Sequence, residues 1–232
     1  MATKRRSKAK PGAPVHDLVY HEIRHSLMVG TFAPGDRVSL RSLAHQVGTS
    51  LTPVRGAVNR LIAEGAFDVL PNRWVVIPPM TQSKFEEITH WRVQLETAAT
   101  RKAVPNVNAK LLKELRQCNE RMIRSVEDTG DRTELLSQNY EFHFKIYRAS
   151  QSEILLPMIE SLWLQAGPFT YYSMMSPRDL WDAQYHGRLI EALEEGDADV
   201  AADAIERDIL NTADFLRNSG HYDQPKLRKV VR

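Results

Sequence analysis

Four polar residues in the second half of the chain have types and spacing suited to holding a cation. Asn139 and His143 are four apart, so on a helix they project from one side. His186 and Asp208 stand at matching distances either side of Gly196–Asp197, ten residues before the glycine and eleven after the aspartate. If the two flanking helices fold back on each other there, both side chains reach the same height. Two imidazoles, a carboxylate and an amide oxygen form a ligand set for one divalent ion such as Zn, Ni or Mn. Cys118 is the single cysteine, so thiolate sites and internal disulfides are excluded. The alternative is a hydrogen-bonded polar cluster in which His143 and Asp208 are partners.

Arg92 opens a second stripe, followed by Leu95, Glu96 and Ala99. Its guanidinium is suited to a bidentate clamp on the carboxylate of a small organic acid. Arg92 and Glu96 are therefore the candidate effector-binding residues, the competing reading being that they only pair with each other. Trp163, Phe169, Tyr171, Tyr172 and Trp181 line an apolar side of such a cavity, or belong to a core or a dimer interface.

A different set of polar side chains lies near the N-terminus. Arg41, Thr49, Ser50, Thr52, Arg55, Asn59, Asn72 and Arg73 are donors and acceptors of the kind that meet phosphates and base edges. Arg55 and Asn59 share one helix face. Their charge context agrees. Residues 1–80 hold 11 basic and 5 acidic groups, whereas residues 81–232 hold 20 and 24. A basic head on an acidic body points to a polyanion partner for the head alone.

The elements that must carry these residues are mostly helical. Residues 1–13 read as a basic, disordered arm. Val15, Leu18, Val19, Ile23 and Leu27 mark a first helix, ended by Gly30. Leu40 to Val47 forms a second, ended by Gly48, and a third starts near Thr52–Pro53 after Thr49–Ser50 and ends at Gly65. Two β-rich runs, Ala66–Leu70 and Trp74–Ile77, turn at Pro71–Asn72–Arg73. Three helices and a hairpin over residues 14–78 make a winged helix-turn-helix, whose third helix fits the DNA major groove.

Residues 79–82 read as a linker. The body, residues 83–222, reads as a bundle of six helices enclosing a pocket. Its helices are expected over Ser83–Ala103, with Ser83 and Glu86 as a capping box, then Val107–Glu127, Thr133–Ala149, Ser152–Gln165, Pro177–Glu194 and Asp199–Arg217. Residues 223–232 form a loose tail. No apolar stretch is long enough to cross a bilayer and the basic start is not a secretory signal, so the expectation is a cytoplasmic protein without a membrane partner.

Over residues 15–78 the chain resembles the GntR family of bacterial transcription regulators. The resemblance is carried by Val19-Tyr20, Ile23-Arg24, Gly30, Pro34-Gly35, Arg37, Leu40, Leu43-Ala44, Gly48, Thr52-Pro53-Val54-Arg55, Ala57, Arg60-Leu61 and Glu64-Gly65. It implies DNA contacts by Arg41, Thr52, Arg55 and the wing at Asn72-Arg73. The chain departs from the family at Leu51, where an Arg is usual, and at Gly56, where a Glu is usual. A helix-interior glycine costs about 0.5–1 kcal/mol relative to Ala.

The body resembles the FCD ligand domain of FadR-like members of that family. Arg92, Leu95-Glu96, Asn139 through His143, His186, Ile190, Ala192, Gly196-Asp197 and Ala201 carry the likeness. It implies that Asn139, His143, His186 and Asp208 occupy the metal-ligand positions, with Asn139 in place of the usual Asp and Asp208 where a final His is usual. The resulting expectation is a homodimeric repressor on a palindromic double-stranded operator, controlled by a small acid. The rival is a metal-dependent enzyme using His143, His186 and Asp208, but no nucleophile, general-base motif or phosphate-cradling loop accompanies them.

Overall fold

The computed structural model describes residues 15–70, 74–129, 132–175 and 184–222. The basic arm, the wing tip with Asn72 and Arg73, residue Trp181, the start of the expected Pro177 helix and the tail lie outside the described residues.

In the head, α1 (Val15–Met28) buries Val19, Tyr20, Ile23 and Leu27 at helical spacing. Helix α2 (Leu40–Val47) opens on a reciprocal cap in which Ser39 and Ser42 satisfy each other's backbone N–H groups. It ends at Gly48 in the left-handed conformation, φ 68°, which a side-chain-bearing residue would adopt only with strain. Helix α3 (Leu51–Ala63) buries Pro53, Val54, Ala57, Val58 and Leu61. The wing has three strands where the sequence suggested two. Strand β1 (Arg37–Val38) pairs with β3 (Val75–Val76), which also pairs with β2 (Asp68–Val69), all antiparallel. A two-residue strand is too short to leave a periodic signal, so β1 is visible only through its partner.

The body contains six α-helices among the described residues. Helix α4 (Gln82–Ala103) begins earlier than the expected Ser83 cap, because Thr81 Oγ1 accepts from the Lys84 N–H at 3.1 Å. Glu86 does not reach back to close a capping box. Its carboxylate is taken by Arg217, at 2.7 and 2.8 Å. Pro105 sits in a 3₁₀ turn (Val104–Asn106), after which Asn108 caps α5 (Ala109–Arg124). The chain then widens into a π-turn (Ser125–Thr129) rather than continuing as α-helix to Glu127. Helix α6 (Arg132–Ala149) is followed by α7 (Leu155–Thr170), which runs past the expected end at Gln165. Burial of Ala166, Pro168 and Phe169 holds that last turn together despite the internal proline. A 3₁₀ turn (Tyr171–Met175) ends this layer. Helices α8 (Gln184–Glu195) and α9 (Ala198–Asn218) fold back on each other across Gly196, φ 76°. Asp197 caps α9 by accepting from the Asp199 and Val200 N–H groups.

Head and body share one apolar core. The end of α1 lies directly on α7 at Gly167, where an added Cβ would stand 2.4 Å from the Leu27 carbonyl oxygen and 2.7 Å from Met28 Cα. Polar contacts reinforce this seam. Arg24 Nη1 donates to Glu160 of α7 at 3.0 Å, and Arg24 Nε lies 3.6 Å from Glu64. Glu64 also accepts from Tyr20 Oη at 2.7 Å and from Arg60 Nε at 3.2 Å. Ion pairs thus run from the C-terminal end of α3 through α1 to α7.

Candidate functional sites

The head presents one face of α3 to solvent. Packing withdraws Pro53, Val54, Ala57, Val58 and Leu61, which leaves Thr52, Arg55, Gly56, Asn59 and Arg60 exposed. Arg55 and Asn59 share this face as their spacing required, and Arg41 is exposed on α2. Neither Arg41 nor Arg55 pairs with an acidic group among the described residues, so their guanidinium donors are uncommitted. Ser50 occupies the cap position of α3 but makes no capping hydrogen bond with its side chain, and the residue is exposed. Thr49 is half-buried beside it, its N–H donating to the Ala44 carbonyl at 2.9 Å.

The body holds the second site. Helix α6 contributes Asn139 and His143, α8 contributes His186, α9 contributes Asp208 and α4 contributes Arg92. His143 Nε2 lies 3.3 Å from Asp208 Oδ2, and His186 Nε2 lies 3.6 Å from Asp208 Oδ1. The antiparallel α8–α9 pair therefore does bring His186 and Asp208 to one height. Arg92, Asn139, His143 and Asp208 line one cavity of about 40 Å³. That is room for about three waters, at roughly 10–15 Å³ each.

The electrostatics of the cluster favour a cation. Burial opposes the charged form of Asp208, but His186, His143 and Arg92 around it prevail and hold its pKa at about 2. Burial pushes His186 the other way, down to about 4, although Asp208 pulls it up. A neutral, buried His186 then turns a nitrogen with no hydrogen-bond partner toward a carboxylate. Donor atoms sharing one tetrahedral ion stand about 3.4 Å apart at zinc–nitrogen distances of roughly 2.1 Å. The 3.3 and 3.6 Å separations, which run to the two different Asp208 oxygens, are near that figure, and one ligand atom from each of His143, His186 and Asp208 lies within 4.8 Å of the others. The residues fit a divalent cation.

Arg92 and Glu96 do pair, Nε to Oε1 at 2.7 Å. Glu96 is wholly buried and does not line the cavity, whereas Arg92 does. Two further features, Tyr147 and the Met28–Val29 wall, were not read from the sequence as parts of this site. Tyr147, one turn beyond His143, donates to Glu96 Oε2 at 2.5 Å and lies 3.2 Å from His143 Nδ1. Its i+4 spacing from His143 was the available signal. Trp163, expected among the lining aromatics, does line the cavity and donates to Glu96 Oε1 at 3.0 Å. Phe169 and Tyr172 instead pack in a separate apolar cluster with Met80 and Phe85. Finally, Met28 and Val29 at the end of α1 form part of the cavity wall. Nothing local to those two residues marks them, because the contact exists only through the head–body seam.

Comparison with known proteins decides the family. The description "Bacterial regulatory proteins, gntR family" matches residues 16–77, and "FCD domain" matches residues 87–211. The chain belongs to the GntR family. The GntR-family chain is 33% identical over 183 residues to the HTH-type transcriptional regulator McbR of Escherichia coli K12, spanning 77% of this chain and 82% of that protein. It is 29% identical to a probable D-xylose utilization operon transcriptional repressor of Paenarthrobacter nicotinovorans, over 88% of this chain and 87% of the relative. The solved structure of E. coli McbR/YncC superposes with a TM-score of 0.81 at 29% identity, covering 88% of this chain and 97% of that one. A GntR regulator from Rhodococcus shares the fold at a TM-score of 0.68 and 18% identity. The protein is thus a FadR-like transcription regulator with a DNA-binding head and an FCD body. No helix among the described residues is long and apolar enough to cross a membrane.

Proposed function

We propose that this regulator binds a near-palindromic double-stranded operator as a cytoplasmic homodimer and represses until a small organic acid enters the FCD cavity. The carrying observation is that Arg92, Asn139, His143 and Asp208 face one space whose remaining wall includes Met28 and Val29 of the DNA-binding head. A ligand in that space touches both modules at once. Two symmetry-related α3 helices would read two half-sites, with Arg41, Thr49, Ser50, Thr52, Arg55 and Asn59 contributing from the helix-turn-helix and Asn72 and Arg73 from the wing. The likeness to the probable D-xylose operon repressor of P. nicotinovorans supports the sign.

His143, His186 and Asp208 would hold one Zn, Ni or Mn ion, with the Asn139 amide oxygen beside them. Such an ion supplies a fixed positive charge that orients a carboxylate. Arg92 faces the same acid, and Glu96 takes part by fixing the Arg92 guanidinium at 2.7 Å.

Elemental analysis of protein purified without chelator or affinity tag tests the metal, and a fluorescence titration of a fragment upstream of its own gene tests the response. Acetate, succinate and citrate serve as probes. One of them is expected to weaken DNA binding, and DNA must weaken that acid's binding by the same factor. No shift of the fragment at low salt, with or without acids, would overturn the reading.

A further inference from the structure

Tyr147 is fully buried between Glu96 of α4 and His143 of its own helix. Its oxygen lies 2.5 Å from Glu96 Oε2 and 3.2 Å from His143 Nδ1. Donors ring Glu96. Arg92 Nε reaches Oε1 at 2.7 Å, Trp163 Nε1 reaches the same oxygen at 3.0 Å, and Arg92 Nη2 stands 3.5 Å from Oε2. A carboxylate paired with a guanidinium offers acceptors only, so the single hydroxyl proton of Tyr147 points to Glu96. The hydroxyl then has only a lone pair left for the imidazole. His143 must supply the hydrogen of that contact from Nδ1.

We propose that Glu96 and Tyr147 are positioning residues that lock a hydrogen onto His143 Nδ1 and so hold the ring with Nε2 turned toward Asp208. The direction of the chain is set at Arg92, runs through Glu96 and Tyr147, and ends on the imidazole. It spans two helices, α4 and α6, so the ring plane is fixed together with the hydrogen on Nδ1. An imidazole that gives its second N–H to an oxygen is also a better donor through its other nitrogen. The last link, from Nε2 to a cation, rests on the metal reading above; the lock itself does not.

The experiment uses the full chain with ¹⁵N-labelled histidine, stripped of metal with EDTA. Long-range ¹H–¹⁵N spectra at neutral pH report whether His143 Nδ1 bears a hydrogen. It is expected to do so in the wild type. In Glu96→Gln the amide oxygen takes the Oε1 place, where two donors converge, and the NH₂ group faces Tyr147. The chain then reverses, Tyr147 donates to His143, and Nδ1 loses its hydrogen. Tyr147→Phe keeps the ring packing and removes only the link, which covers the case that Glu96→Gln does not fold. Calorimetry with Zn²⁺ alone should show affinity falling about 10–100-fold in Tyr147→Phe, with unchanged circular dichroism.

A bare Nδ1 in the wild type would overturn the proposal. So would an unaltered His143 signal in a folded Glu96→Gln variant, or wild-type zinc affinity in Tyr147→Phe. A wild-type chain that takes up no zinc, yet keeps hydrogen on Nδ1, supports the lock and removes the cation.

Discussion

The carbonyl oxygen of Leu27, near the end of α1, lies so close over Gly167 of α7 that a β-carbon on the glycine would come within 2.4 Å of it. Backbone meets backbone here, and neither side can yield by changing a rotamer. Gly167→Ala should therefore push the head away from the body. Overpacking of this kind costs about 1–3 kcal/mol or more. The expected result is a lower thermal midpoint, with DNA binding that no longer responds to the small acid proposed as effector. An unchanged midpoint would mean that the two modules do not meet at this point.

Gly56 offers the opposite case. Its φ is not left-handed, and a β-carbon there would stand 3.5 Å from His16 Nδ1, an ordinary contact. Gly56→Ala should stabilise the head by about 0.5–1 kcal/mol through helix propensity alone. Chemical denaturation followed by circular dichroism measures it, and a loss of stability would show that the glycine is needed for shape.

Arg55 is exposed on α3 and free of acidic partners among the described residues. Arg55→Ala should weaken specific binding by about 1–3 kcal/mol, the range for a bidentate base contact, with helical content intact. The slope of log affinity against log salt should become shallower if the contact is to phosphate and stay the same if it is to a base. Wild-type affinity in the variant would remove Arg55 from the interface.

His25 packs edge-on against Tyr140 across the seam, ring centroids 4.9 Å apart. Burial lowers its pKa below the usual value of 6.5, with Glu141 pulling up and Arg148 down. The folded state therefore keeps His25 neutral where the unfolded chain would protonate it. Its contribution to stability is fully present above about pH 6.5 and is lost as pH falls toward the lowered folded value. The thermal midpoint of the metal-free wild type should drop over that interval more than that of His25→Gln. Parallel curves would refute the assignment.

Much of this molecule was legible in its amino-acid order because the signals are local. The helical spacing of Val19, Ile23 and Leu27, the stop at Gly48 and the turn at Gly196–Asp197 each depend on residues within a turn or two. The shared face of Arg55 and Asn59, and that of Asn139 and His143, follow from helix geometry alone. The short strand Arg37–Val38 was not legible, because a strand is defined by a partner, here Val75–Val76. The Ser83–Glu86 box failed for a related reason: Arg217, 131 residues away, takes the Glu86 side chain. Which acid meets which base is a property of packing.

Sequence thus determined that His143, His186 and Asp208 could share a site. Tertiary structure decided that their donor atoms converge, that Tyr147 and Glu96 set the orientation of His143, and that Met28 and Val29 wall the cavity from the head. Periodicity records which face of a helix avoids water, while the identity of the neighbour across that face depends on how all the helices pack together.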